Sequence, residues 1–296
     1  MVQNDLDSKI PTIEVDLENI NGSVVSSYDF KPEDPDKNKK KRKGFVWRLV
    51  FWLSVVVLVA SLGVLAFFCL GYVEGCKMYD DIAEQTFDAG EDNLANMKVD
   101  WDALRAINPE VCAWVYVPGT KINYPVVHTT NNEKYLKTTF HGYNSYVSFG
   151  TIFMDYNNNP DCSDPCIFTY GHHMNDGSMY AFFDEYKDQA VLNNNRFIYF
   201  LTPNGNYKLS AFSCVTAAGS EKIVQTTFST PKSMVDYIND KKNRAVSKLE
   251  GNIPASEDMT KIFAFSTCDY SFDDARCIVY AYVYESTVDG VAGLYN

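Results

Sequence analysis

The stretch that decides the fold is residues 262–286, IFAFSTCDYSFDDARCIVYAYVYES. It contains two apolar runs, IFAFSTC and CIVYAYVYES, and a polar connection separates them. Aromatic and β-branched residues favour strands, so the two runs predict a pair of strands. If the strands are antiparallel, Cys268 at the end of the first and Arg276 at the start of the second lie near each other at one edge. From composition alone, an ordinary hairpin with a structural arginine is the simpler alternative.

Six more strand-like runs lie upstream of this pair. They are VCAWVYV, INYPVVH, GTIFMDY, PCIFTYGHH, RFIYFLT and YKLSAFSCVTA. Eight such runs in under 200 residues predict an all-β barrel or sandwich. The PNGN sequence at 203–206 is a strong hairpin signal. One helix of about 18 residues is expected at 231–249, because Thr230-Pro231 is a helix start signal and apolar residues follow at helical spacing.

The N-terminal part contains one segment that is suited to a membrane. Leu49 to Leu70 holds no charged residue, and at about 1.5 Å per residue its 22 residues cross roughly 33 Å. Six basic residues lie in KNKKKRK at 37–43, which predicts a cytoplasmic N-terminus and an extracellular remainder. An uncleaved signal-anchor fits better than a cleaved signal peptide, since no A-x-A-like cleavage site follows.

These features predict four parts of the chain. Residues 1–44 are expected to form a disordered cytoplasmic tail, 45–72 a transmembrane signal-anchor helix, 73–100 an extracellular stem helix, and 101–296 the folded β domain. The formal net charge is −12, which argues against a general nucleic-acid-binding function.

The cysteines and histidines supply the candidate chemistry. Cys112, Cys214 and Cys277 lie inside apolar runs and are expected to be buried. Cys162-x-x-x-Cys166 allows a metal half-site, a disulfide or plain thiols, and the disulfide state of these five and of Cys76 is open. Cys268 differs because it ends a strand beside a polar loop. A thiol nucleophile needs an imidazole. His172 and His173 follow a strand and fit this need, whereas His128 and His141 are expected to be structural.

Three ordered motifs resemble a known family. The stretches WDALRAINPEVCAWVYVPGTKINYPVVH (101–128), TYGHHMNDGSMY (169–180) and STCDYSFDDAR (266–276) resemble the class B sortases, and the resemblance covers about residues 101–285. It implies a membrane-anchored cysteine transpeptidase with a mostly β fold: an eight-stranded barrel with N-terminal helices and one inserted helix, after a single transmembrane helix.

The resemblance also implies a role for each site residue. Cys268 is the nucleophile that attacks after the threonine of a C-terminal sorting pentapeptide on a secreted protein. His172 exchanges the proton, Arg276 holds the substrate or the oxyanion, and Ser266 and Thr267 line the groove. The thioester acyl-enzyme is then transferred to an amine of a cell-wall peptide. No cofactor or metal is implied.

Three alternatives stay open at this point. A secreted cysteine peptidase would hydrolyse the same acyl-enzyme. A pilus-assembling sortase of class C usually carries an aromatic lid after Asp-Pro, and neither Asp34-Pro35 nor Asp164-Pro165 resembles such a lid. A non-enzymatic binding domain on a membrane stalk would leave Cys268 unreactive.

Overall fold

The computed structural model describes residues 35–144, 149–269, 274–291 and 293–294, and it describes side chains from Gly44 onward except those of residues 268 and 269. Most of the predicted tail at 1–44 therefore lies outside the described residues. The chain divides into two compact units, Met1–Ala60 and Ser61–Asn296.

The first helix, α1 (Pro35–Thr86), contains the apolar segment found in the sequence. Its portion Gly44–Thr86 is long and apolar enough to cross a membrane, with a mean hydropathy of 2.8 in an 18-residue window. The predicted stem at 73–100 is helical only as far as Thr86. Two short strands, β1 (Phe87–Asp88) and β2 (Lys98–Val99), pair with each other after it. Gly90, in the turn between them, has a left-handed φ of 52°, which glycine adopts more readily than other residues.

A short helix then leads into the barrel. Helix α2 (Trp101–Ile107) starts at Asp100, whose side chain accepts a hydrogen bond from the Ala103 amide. This bond satisfies one of the amides that a helix leaves unpaired at its N-terminus. The backbone turns extended at Asn108 before Pro109, where the sequence predicted the break.

Each of the eight predicted runs forms a strand. The strands are β3 (Val111–Tyr116), β4 (Asn123–Val127), β5 (Ile152–Met154), β6 (Cys166–Tyr170), β7 (Phe197–Thr202), β8 (Gly205–Ala218), β10 (Ile262–Asp269) and β11 (Ala275–Ser286). Their order around the sheet is β11, β10, β6, β5, β4, β3, β7 and β8, and β8 pairs with β11. The pairing of the last strand with the first closes an eight-stranded barrel, which confirms the predicted fold class.

The barrel is buried on both faces. Phe263, Phe265 and Val279 belong to one core cluster, which takes residues from all eight barrel strands and also includes residues of α1 and α2. The alternate residues Ile262 and Tyr280 belong to a second cluster. Because successive strand residues point to opposite faces, this alternation separates the barrel interior from a second apolar layer outside it.

Helix α4 (Pro231–Asn243) packs on this second layer through Met234, Tyr237 and Ile238. It starts where the sequence predicted, but it has 13 residues and not about 18. The helix is shorter because the end of the predicted range forms a strand instead. Strand β9 (Ser247–Lys248) pairs with β8, so its backbone groups are hydrogen-bonded to the sheet and not within a helix. A shorter helix, α3 (Gln189–Asn194), follows a 3₁₀ segment at Ala181–Lys187.

Candidate active site

Strand register brings three of the predicted site residues to one end of the barrel. Strands β10 and β11 are antiparallel, and Cys268 is the direct backbone partner of Arg276. Strand β6 runs parallel to β10, with Tyr170 beside Ser266, and the Gly171 amide donates to the Ser266 carbonyl at 3.1 Å. His172 is the next residue, so it leaves strand β6 at the end where Cys268 lies. The side chain of Cys268 is outside the described part of the structure.

His172 is half-buried in contact with a neighbouring loop. Its Nε2 lies 2.6 Å from the carbonyl oxygen of Leu136. A carbonyl can only accept, so this distance places a proton on Nε2 and leaves Nδ1 as the ring nitrogen that could exchange a proton. A Cβ on Gly150, which has a φ of 56°, would lie 3.1 Å from His172 Cδ2, so the loop approaches the ring closely because this residue is glycine.

Arg276 is held by groups of its own turn. Its Nη2 lies 2.8 Å from Asp274 Oδ1, and its Nη1 donates to the Ala275 carbonyl at 3.1 Å. Asp274 has a left-handed φ of 57°, and its carbonyl accepts from the Gly219 amide at 2.7 Å. A Cβ on Gly219 would lie 2.6 Å from an Asp274 carboxylate oxygen. The glycine therefore makes room for the carboxylate that holds the guanidinium.

Ser266 and Thr267 lie beside the nucleophile position but are almost fully buried, at 3% and 1% exposure. Among the described residues, the Thr267 hydroxyl has no hydrogen-bond partner. The proposed lining of a groove by these two residues stays a prediction.

The other cysteines are in surroundings that disfavour a thiolate. Cys112, Cys162, Cys166, Cys214 and Cys277 are buried free thiols. Burial raises the pKa of Cys162 and of Cys166 to about 12. Because the thiolate is the nucleophile, these two thiols are poor candidates for catalysis. Within the described ranges, no group of three His, Cys, Asp or Glu side chains is arranged to hold a metal ion.

The sequence did not indicate the groups that surround the site residues. Leu136 and Gly150 lie beside His172 although both precede it by many residues. Gly219 lies opposite Asp274 where the paired strands β8 and β11 meet the loops. The only local signal was that Gly150 starts one apolar run and Gly219 follows another, and glycines at such places often mark a close backbone approach.

Comparisons with known proteins bear on the family and the fold of the chain. No protein-family model matches the chain. A curated protein, sortase B of Staphylococcus aureus, is 26% identical over 188 residues, which are 63% of this chain and 75% of that protein. The crystal structure of Clostridium perfringens sortase B is 30% identical with a TM-score of 0.57, over 61% of this chain and 97% of that one. A Staphylococcus aureus sortase B-substrate complex is 27% identical with a TM-score of 0.56, over 62% of this chain and 83% of that one.

Proposed function

Because the chain belongs to the class B sortases, a family of cysteine transpeptidases, we propose that it anchors secreted proteins to the cell wall. In this proposal it cleaves a C-terminal sorting pentapeptide after threonine and transfers the new carboxyl end to an amine of a cell-wall peptide. The observation that supports it best is the register that pairs Cys268 with Arg276 while His172 leaves the neighbouring strand.

The reaction proposed has two steps. The Cys268 thiolate attacks the threonine carbonyl carbon, the amide C–N bond breaks, and His172 as imidazolium gives the leaving amine a proton from Nδ1. The thioester that remains is attacked by the acceptor amine, His172 takes back a proton, and the thiolate leaves as the new amide forms. A thioester keeps the acyl group reactive until an amine arrives.

Arg276 has the role of stabilising negative charge in both steps. A guanidinium carries five N–H donors in a fixed plane, and two of these directions are taken by Asp274 and Ala275. The remaining donors suit either the oxyanion of the tetrahedral intermediate or a substrate backbone carbonyl. The same positive charge favours the thiolate form of a nearby cysteine.

The proposed location is supported by the apolar helix and its flanking charges. The apolar segment of α1 would anchor the chain in the cell membrane with the N-terminus in the cytoplasm and the barrel outside. The barrel would then lie on the side of the membrane where secreted proteins and cell-wall amines are present. A protease-protection experiment on intact cells tests the orientation, since outside protease should cut the barrel and leave the tail.

The test of function uses the full chain in detergent or vesicles with a set of internally quenched sorting peptides. Each peptide is incubated with and without triglycine as an amine, and wild type is compared with Cys268→Ala. We expect cleavage that disappears in Cys268→Ala and an amide-linked product when triglycine is present. A free acid as the sole product under both conditions would instead indicate a peptidase, and cleavage by Cys268→Ala would eliminate the cysteine mechanism.

A further inference from the structure

The loop that carries His172 is hydrogen-bonded to the helix that contains the apolar segment. We propose that Asp176 is a positioning residue, which links the loop at 171–180 to helix α1 and so holds His172 in place for catalysis. The inference rests on the proposed function of His172. It adds a residue and a helix that neither the motifs nor the resemblance assigned to the reaction.

Asp176 first organises its own loop. Its Oδ1 accepts hydrogen bonds from the Ser178 amide at 3.0 Å and the Ser178 hydroxyl at 2.6 Å. Lys121, from the turn between β3 and β4, donates to the Asp176 carbonyl at 2.6 Å. The end of the loop is hydrogen-bonded to its beginning: the Tyr180 amide donates to the His172 carbonyl at 2.9 Å.

The second oxygen of the same carboxylate faces helix α1. The Cys76 thiol donates to Asp176 Oδ2 at 3.6 Å, and the Tyr72 hydroxyl also donates to this carboxylate. Partial burial alone would raise the pKa of Asp176, but the hydrogen bonds from Ser178 and Tyr72 lower that pKa overall. The carboxylate is therefore charged at neutral pH, and charged hydrogen bonds are the stronger kind.

The same helix also holds the loop on the other side of the histidine. The Tyr79 hydroxyl donates to the Gly150 carbonyl, and Gly150 is the residue that approaches the His172 ring. A Cβ on Gly75 would lie 2.6 Å from the Phe149 ring, so a glycine in the helix allows Phe149 to pack there. The Tyr72 ring packs on the Phe149 ring in a tilted arrangement, with 5.0 Å between centroids and 40° between the ring planes.

Helix α1 thus contacts both loops that position His172. Tyr72 lies two residues after the uncharged run ends at Leu70. The residues of helix α1 that contact the loops around His172 therefore directly follow the segment that would anchor the chain. Positioning of catalytic groups is sensitive to small displacements: a misplacement of about 1 Å can cost roughly 100-fold in rate. A soluble chain that starts after Tyr72 or Cys76 would lack these contacts.

The test measures peptide acylation by the full chain carrying Asp176→Asn. The amide keeps the size of the side chain but loses the charge to which Tyr72 and Cys76 donate, and which lies 3.5 Å from Lys121 Nζ. We expect kcat to fall by roughly tenfold with KM within about twofold of wild type, because the histidine is displaced while the groove is not. Asp176→Glu, which keeps the charge, should recover part of the loss.

Two controls separate positioning from general damage. Asp161→Asn removes the charge of a matched turn, in which Asp161 Oδ1 accepts from the Ser163 amide at 2.9 Å, and it should leave kcat unchanged. Alkylation of Cys268 by iodoacetamide, followed by mass spectrometry of its peptide, involves no amine leaving group and should also be unchanged in Asp176→Asn.

Wild-type kcat in Asp176→Asn would overturn the inference, and so would a parallel loss of acylation and alkylation, which indicates damage to the whole site. An equal loss in Asp161→Asn would overturn it as well. The proposed function fails separately, by cleavage that survives Cys268→Ala.

Discussion

Arg276 is the site residue whose surroundings the structure describes most fully. Its guanidinium is fixed by Asp274, and that aspartate occupies a left-handed backbone conformation beside a glycine that has no Cβ to obstruct it. A left-handed aspartate is unusual but tolerated. The combination indicates that the position of the carboxylate matters for how Arg276 is presented.

We therefore expect Asp274→Asn to weaken the enzyme without inactivating it. The carboxylate is 59% exposed, and an exposed ion pair contributes about 0.5–1 kcal/mol, which corresponds to a roughly two- to fivefold lower kcat/KM. The loss should shrink at high salt, which screens the pair in wild type. Steady-state cleavage of a sorting peptide at low and high salt measures this.

Gly219→Ala provides an independent check, because its Cβ would push against the same carboxylate and should give a similar loss. The matched control is Asp236→Asn, which removes an exposed ion pair with Lys232 on helix α4. A larger loss in this control than in Asp274→Asn would contradict the assignment.

The residues of the site could be predicted from the sequence to different extents. Cys268 and Arg276 follow from two adjacent strands, because an antiparallel pair with a short connection brings such positions together. The contact of His172 with Leu136 could not be predicted, since it joins loops 36 residues apart and leaves no local pattern.

At the scale of elements, helix α4 shows why starts are easier to predict than ends. Its start is encoded locally. The Thr230 hydroxyl accepts a hydrogen bond from the Ser233 amide, and the Ser233 hydroxyl accepts one from the Thr230 amide. Its end is decided by strand pairing, in which Ser247 lies beside Cys214 of β8. The apolar spacing of Val246 and Leu249 suggested more helix, but Val246 is 57% exposed.

Thr230→Ala should destabilise the folded chain by about 1 kcal/mol, the usual cost of losing an N-cap. Catalysis at low temperature should be unaffected, because helix α4 packs on the outer apolar layer. Urea unfolding of the full chain in detergent, followed by circular dichroism, measures the change.

Ser229→Ala is the control, since Ser229 is an exposed neighbour that precedes the cap. If both substitutions have the same effect, the capping bond does not contribute what the geometry indicates.

At the scale of the whole molecule, the eight apolar runs predicted a barrel or a sandwich, and the resemblance implied the barrel. The runs alone could not separate the two folds, since the pairing of β8 with β11 that closes the barrel joins strands far apart in sequence. The contacts of helix α1 with the site could not be predicted either. Tyr72 lies in the predicted transmembrane segment at 45–72, and Cys76 and Tyr79 lie in the predicted stem at 73–100. Only the packing shows that they contact the loops around His172.

The carboxyl groups of the barrel unit predict how its stability depends on pH. Among the residues that the structure describes, four of these carboxyl groups have a pKa below the ordinary value: Glu110, Asp161, Asp176 and Glu221. Burial opposes this shift at Glu110, and hydrogen bonds from Lys134 and Tyr135 outweigh it. At Glu221 the main cause is Arg244.

A carboxyl group whose pKa is lower in the folded state stabilises the fold above its unfolded pKa, and the effect is lost as the pH falls through the folded value. We therefore expect the free energy of unfolding to be level above about pH 5 and to fall progressively below about pH 4.5, near the unfolded pKa of glutamate. Urea unfolding of the full chain in detergent at a series of pH values measures the curve.

The substitution Glu110→Gln should lower the free energy of unfolding at pH 7 and make its fall at acid pH shallower. The control Glu185→Gln removes an exposed carboxylate outside these four, and it should change neither the free energy at pH 7 nor the slope at acid pH. An acid limb as steep in Glu110→Gln as in wild type would show that the contacts of Glu110 with Lys134 and Tyr135 do not contribute to stability.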